Sequence, residues 1–256
     1  MDLEIKDKTA LVTGAGRGLG AAICRSLAKE GVRIVACSRT KSDLQTLIHT
    51  LPNSENHKYI AIDLSKDAGT DDLIGFIDGS NIEVDILVNN VGGTLNINDP
   101  FQNIRDFRSV MQLNLDVAVS LNSVLIPKMQ ERKWGRVCHI SSISALENQG
   151  PPAYCAAKAA LNAYIRSIGR YVSPDNVIVT GVMPGAVLTE GGYWEDALRD
   201  RPDHVQKFLN ERMASKRFGK EEEISELVTF MVSEQASFLV GSILLADGGQ
   251  GRVFQN

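Results

Sequence analysis

Thr13-Gly14-Ala15-Gly16-Arg17-Gly18-Leu19-Gly20 follows a short apolar run, residues 8–13 (KTALVT), and opens a helical pattern that reaches Lys29 and stops at Gly31. The run is rich in strand formers, so the order is strand, glycine turn, helix. Glycines allow a tight turn and close approach to a bound group. The helix N-terminus that follows presents free N–H groups and the positive end of a dipole. This is the context that a dinucleotide pyrophosphate requires.

Downstream, strands and helices alternate. Residues 32–37 (VRIVAC) read as a second strand. Many dinucleotide sites place a carboxylate near its end to bind the adenosine ribose. Here Cys37-Ser38-Arg39 stands instead. A carboxylate repels a 2′-phosphate, whereas a guanidinium binds one with two hydrogen bonds. With Arg17 in the glycine turn, the expected cofactor is NADP(H) in preference to NAD(H). A third strand, 58–62, ends at Asp63-Leu64, where the carboxylate is placed to accept from an adenine amino group. A fourth, 84–88, ends in Asn89-Asn90-Val91-Gly92-Gly93. Polar and glycine residues at a strand's carboxyl end mark the ligand crevice of an open α/β sheet.

Residues 104–129 show apolar positions at helical spacing, interrupted by Asn114, whose buried amide needs partners. A fifth strand, 135–140, carries Ser141-Ser142 at its carboxyl end. The next helix, 153–172, holds Tyr154 and Lys158, four residues apart and therefore on one face. A phenol titrates near pH ~10, and a fixed ammonium nearby is expected to lower that value and let Tyr154 trade protons. Residues 176–182 form a sixth strand, followed by Met183-Pro184-Gly185-Ala186-Val187-Leu188-Thr189. The charged stretch 190–216, with Tyr193 and Trp194 at its start, reads as a lid whose aromatic pair covers the substrate. A helix at 221–232 and a seventh strand at 242–246 complete the chain before Asp247-Gly248-Gly249.

The chain has 256 residues, 43% hydrophobic and 23% charged, which suits one α/β domain over the full length. A net charge of −4 gives no general attraction to nucleic acid or anionic membrane. Residues 1–8 are charged rather than apolar, so no signal peptide is expected, and no apolar run approaches the ~20 residues of a bilayer span. Cys24, Cys37, Cys138 and Cys155 lack metal or redox spacing, and the four histidines form no ligand pair, so no metal is expected. The cysteines read as buried thiols of a cytoplasmic protein.

Taken together, these motifs resemble the short-chain dehydrogenase/reductase family along essentially the whole chain. The resemblance implies a Rossmann-type doubly wound fold, with a seven-stranded parallel sheet flanked by helices. It implies a catalytic tetrad of Asn114, Ser142, Tyr154 and Lys158, with Ser141 as the alternative serine. Around the cofactor it implies Gly14, Arg17, Gly18, Leu19, Gly20, Ser38, Arg39, Asp63, Leu64, Asn90, Val91, Gly92, Tyr154, Lys158, Pro184, Gly185, Val187 and Thr189. Lys158 would bind the nicotinamide ribose, Asn114 would hold a relay water, and Thr189 would orient the ring. Substrate contacts are expected from Ser142, Ser144, Glu147, Tyr154 and Trp194.

Four departures from the family pattern stand out: Val91, Met183, a Ser142–Tyr154 interval of 12, and a tail at 250–256. Two substrate classes stay open. Lys133 and Arg170 would suit the acidic carrier of a β-ketoacyl-acyl-carrier-protein reductase, making an acyl carrier protein a candidate partner. Glu147, Asn148 and Gln149 would suit a sugar or polyol. A non-catalytic nucleotide sensor is disfavoured, since serine, tyrosine and lysine are all present. A homotetramer is also implied; its physical motive is the apolar surface of helices 104–129 and 153–172, with Tyr164 and Tyr171 as anchors.

Overall fold

The structure, a computed structural model, describes residues 1–253, so residues 254–256 of the tail lie outside the described residues. Strands β1 (Thr9–Thr13), β2 (Arg33–Ser38), β3 (Lys58–Ala61), β4 (Ile86–Asn89), β5 (Gly135–Ile140), β6 (Val177–Pro184) and β7 (Ile243–Ala246) form one seven-stranded sheet. Their order is β3-β2-β1-β4-β5-β6-β7, and every pairing is parallel. The order reverses between β1 and β4, and the crevice at that switch point is where an open α/β sheet takes its ligand.

Helices α1 (Gly18–Lys29), α2 (Lys41–Thr50) and α9 (Glu221–Met231) lie on one face. Ile23 and Leu27 pack with Ile224 and Val228 in the core there. On the other face lie α3 (Gly69–Gly79), α4 (Ile104–Met111), α5 (Val117–Glu131) and α6 (Pro152–Val172). That core joins Leu73, Leu121, Leu125, Leu161 and Ile165 to β4 and β5. The inner strands are buried on both sides, which explains their continuous apolar runs.

Two readings of the sequence change, and the stretch 190–216 is resolved into two helices. The stretch 190–216 is broken into α7 (Tyr193–Asp200) and α8 (Pro202–Arg212), because Pro202 cannot continue a helix and restricts Arg201 before it. Between α4 and α5 the helix widens into one π-helical turn at Gln112–Asp116. The Asn114 side chain donates to the Val110 carbonyl at 2.8 Å, claiming an acceptor of the regular ladder. Finally, Ile104–Glu131 is continuous enough, with mean hydropathy 1.3 over 18 residues, to cross a membrane by length and composition, contrary to the expected absence of such a run. Half of that window is buried inside the protein, where Leu121 and Leu125 meet the sheet.

Candidate active site

The glycine turn is built for close approach. Gly14 and Gly18 adopt φ of 63° and 57°, a region that disfavours a Cβ. Gly20 faces inward, and a Cβ there would lie 2.2 Å from the Gly14 carbonyl oxygen. Leu19 packs into the core below. Asn90 staples the turn, donating from Nδ2 to the carbonyls of Thr13 (2.9 Å) and Gly14 (3.1 Å). The Thr13 hydroxyl accepts from the amides of Asn90 and Val91. Nothing in the sequence singled out Thr13, although its place at the last strand position before the glycines was a usable signal.

A cleft of about 790 Å³ opens above this turn, lined among others by Arg17, Ser38, Arg39, Asp63, Val91 and Thr189. Its features fit a phosphorylated dinucleotide. Helix α1 has neither a side-chain cap nor an acidic residue in its first turn, so its leading N–H groups are free. The Ser38 hydroxyl is buried without a partner, and it closes on the Gly16 Cα, where a Cβ would come within 2.7 Å. An orphaned hydroxyl beside Arg39, with Arg17 on the glycine turn, suits a 2′-phosphate. Asp63 accepts from the Ser65 amide (3.0 Å) and hydroxyl (2.7 Å). Burial pushes its carboxyl upward, but Ser65 and then Arg39 outweigh it and hold the group below its ordinary range. Leu64 is buried beside it.

The cleft leads to a polar group at the carboxyl ends of β4 and β5. Lys158 is 3% exposed and donates to the Ile140 carbonyl at 2.8 Å. Its ammonium lies 5.7 Å from the centre of the Tyr154 ring. Ser142 begins a short turn and accepts from the Ser144 amide at 3.1 Å, leaving its hydroxyl proton for another acceptor. Ser141, the alternative serine, turns away and donates to Asn162 at 2.6 Å; Asn162 in turn reaches the Met183 sulfur. Asn114 exchanges hydrogen bonds with the Gly93 backbone in both directions. Gly92 permits this, since a Cβ there would crowd Asn114 Oδ1 at 2.7 Å and Lys158 Nζ at 3.1 Å.

One electrostatic expectation is overturned. Burial raises the Tyr154 phenol above its ordinary value, with the Ser142 hydroxyl only partly opposing it, so the phenol is not lowered as the nearby ammonium suggested. Lys158 is itself pulled down to about 8 by burial. Between pH 8 and the ordinary 10.5 the unfolded chain therefore binds a proton that the folded chain does not, and stability rises with pH across that window. Lys158→Met should stabilise the protein most below pH 8, by about 2 kcal/mol after the lost Ile140 hydrogen bond is set against it. Urea melts at pH 7 and pH 10 check this; a larger gain at pH 10 would reverse the sign and refute it.

Three side chains stand elsewhere than the sequence suggested. Trp194 stacks with Phe208 (4.3 Å) and Phe218 (4.9 Å) in a small aromatic nest, because α8 folds back on α7; Tyr193, not Trp194, lines the cleft. Glu147 is occupied by Gln149 Nε2 at 2.7 Å and by the Arg252 amide, so its carboxylate is spent on the protein rather than offered to a ligand. Tyr164 points inward, accepting from Asn122 at 3.2 Å and meeting His139 edge-on, so it is no surface anchor. Ser144 is buried next to Gly150, whose Cα abuts the Tyr154 ring. Pro184 and Gly185 end β6 against Ala246 and Asp247; Val187 pairs with Gly219, and Thr189 lies over Gly18.

Residues 8–195 match the short chain dehydrogenase family. The chain belongs to that family. It is thus an oxidoreductase moving a hydride between a nicotinamide cofactor and a carbonyl or alcohol carbon. A 3-oxoacyl-[acyl-carrier-protein] reductase of Aquifex aeolicus is 27% identical over 256 aligned residues, covering 97% of this chain and 99% of that one. Among solved structures, the L-sorbose reductase of Gluconobacter frateurii, complexed with NADPH and L-sorbose, superposes with a TM-score of 0.91 at 30% identity, over 99% of this chain and 100% of that one. A 3-oxoacyl (acyl-carrier-protein) reductase of Agrobacterium tumefaciens with NADP bound reaches 0.89 at 31% identity, over 97% and 96%.

Proposed function

We propose that this short-chain dehydrogenase is an NADP(H)-dependent carbonyl reductase of the β-ketoacyl thioester type, in which Tyr154 delivers the proton. The observation behind this reading is that Lys158 lies against Gly92, a lining residue of the cleft that fits a phosphorylated dinucleotide, with Tyr154 and its partner Ser142 beside it. Arg17, Ser38 and Arg39 hold the 2′-phosphate, and Asp63 with Leu64 flanks the adenine. The glycine turn and α1 take the pyrophosphate, while Asn90, Val91, Gly92, Pro184, Gly185, Val187 and Thr189 seat the nicotinamide half. When bound, the nicotinamide supplies the hydride.

Ser142 donates to the carbonyl oxygen and stabilises its developing charge. Tyr154 gives that oxygen its proton. Tyr154 is protonated through neutral pH, and burial, by raising its phenol, keeps it in the form that donates. Lys158 holds the nicotinamide ribose. Asn114, bonded to the Gly93 backbone, would hold a water that returns the proton from solvent to this pair.

A second reading, a sugar or polyol dehydrogenase, draws on the amide groups of Asn148 and Gln149 in the loop before Tyr154 and on the likeness to L-sorbose reductase. The basic groups invoked for an acyl carrier protein do not flank this loop. Lys133 pairs with Asp175 ahead of β5, at the end of the strands away from Tyr154, and Arg170 lies in the last turn of α6, whose first turn holds Tyr154. Loss of NADPH absorbance with acetoacetyl-coenzyme A, against L-sorbose, separates the readings; turnover of neither would remove both. Arg39→Ala should raise KM for NADPH roughly tenfold and leave KM for NADH nearly unchanged. Equal losses would show that Arg39 does not meet the 2′-phosphate.

Three further features belong to this reading. The protein works in the cytoplasm as a single domain. It assembles as a homotetramer through the uncovered side of Ile104–Glu131 and the exposed Tyr171 and Ile104; a monomer mass by light scattering at micromolar concentration would exclude this. Residues 190–216 act as a lid: residues 190–193 line the cleft, and the Arg17 guanidinium rests on Gly191. Hydrogen exchange at 190–216 that is unchanged on adding NADP(H) would sink the lid.

A further inference from the structure

The loop between Ser142 and Tyr154 has both ends at the reacting centre, and Glu147 sits midway along it. Its side chain is 14% exposed and tied in three directions. One oxygen accepts from the Arg252 amide in the C-terminal segment. The other accepts from Gln149 at 2.7 Å and faces Arg212 of α8 at 3.8 Å. Arg252 also donates to the Glu211 carbonyl of α8 at 2.9 Å. Gln250, buried, accepts from the Ala186 amide at 2.7 Å, one residue past Gly185, and donates from its side-chain amide to the side-chain oxygen of Gln149 at 3.5 Å. Asp247 accepts from the Gly251 amide at 2.7 Å, and the Ser215 amide donates to Gly248 at 3.0 Å.

Residues 247–252 therefore lie across three walls: the serine–tyrosine loop, the end of β6 and the far end of the lid. We infer that Glu147 is a positioning residue, which fastens this C-terminal segment and α8 over the loop as the outer wall of the substrate site. The inference rests on the reductase reading for where the substrate lies. The Arg252 amide and then Gln149 hold the Glu147 carboxyl below its ordinary range, as a charged fastener requires. The pattern also sets what the lid can move: α8 is fastened, while residues 190–200 have no tie to the segment among the described residues.

In the full-length protein, Glu147→Ala should raise hydrogen exchange at 247–252 and raise KM for the carbonyl probe, acetoacetyl-coenzyme A or L-sorbose, about tenfold. KM for NADPH should stay within about twofold, because the cofactor cleft does not touch Glu147. Glu147→Gln keeps one acceptor oxygen and should restore part of both effects. Arg212→Ala, which breaks only the Glu147–Arg212 contact and leaves the Arg252–Glu211 bond to α8 in place, should move both readouts the same way but less, and it carries the test if Glu147→Ala does not fold. Unchanged exchange at 247–252 in the variant that folds overturns the fastening, and a parallel rise in both KM values overturns the positioning role. Failure of the unaltered protein to reduce either probe would instead remove the reductase reading, and exchange would still decide the fastening.

Discussion

Tyr154→Phe is expected to lower turnover by at least ~10²–10⁴-fold, the range typical of a lost general acid, with NADPH affinity nearly unchanged. The substitution removes one oxygen and leaves the ring, which packs beside Gly150 and faces Lys158, in place. The cofactor cleft is lined by the glycine turn, β2, β3 and β4 and the start of the lid, so binding survives. Ser142 remains able to hold the carbonyl oxygen, but an alkyl hydroxyl is a far weaker acid than a phenol, so it cannot replace Tyr154 as the proton donor. The check is paired: steady-state rates with the carbonyl probe, and fluorescence titration with NADPH. Retention of more than about a tenth of the activity would remove Tyr154 from the reaction.

Gly20→Ala should be the most damaging single methyl in the chain. The added carbon would lie 2.2 Å from the Gly14 oxygen and 2.6 Å from Asn90 Nδ2, neither at the end of a flexible side chain free to yield. Relief requires α1 to lift away from the glycine turn, which breaks the Asn90 staple and spoils the N-terminus aimed at the pyrophosphate. Overpacking of this kind costs on the order of 3 kcal/mol, and NADPH binding should fall with it. Urea unfolding and NADPH titration of the same sample decide the matter. A variant with native stability and native affinity would show that the turn is not under this constraint.

The sheet, its seven strands and the site motifs were legible because their causes are local. A buried parallel strand must be a short apolar run, and a glycine turn before a helix has few uses. Strand ends shifted by only one or two residues. The misreadings share a different cause. Trp194 looked like a pocket cover until Pro202 turned α8 back and brought Phe208 and Phe218 to it. Tyr164 looked like an interface anchor, but its hydroxyl is claimed by Asn122, 42 residues away in the chain. Lys133 and Arg170 were read as basic groups for an acidic carrier, yet Lys133 lies at the amino end of β5 and Arg170 in the last turn of α6, at the end of the strands away from Tyr154.

The sequence by itself determined the fold class and placed the glycine turn, the serine pair, Tyr154 and Lys158 at strand ends and on one helix face, because these follow from residue type and short spacing. Only the tertiary structure decided what those groups experience. Burial, which no spacing reveals, sets the Tyr154 phenol high and the Lys158 ammonium near 8, reversing the effect expected of a neighbouring charge. Only the tertiary structure shows that Ser141 is engaged by the Asn162 side chain, 21 residues away, while Ser142 accepts from the Ser144 amide. It alone joined Glu147 to Arg252, 105 residues apart. Hydrogen-bond partners and desolvation depend on which distant segments the sheet brings together, and a local pattern carries no record of that meeting.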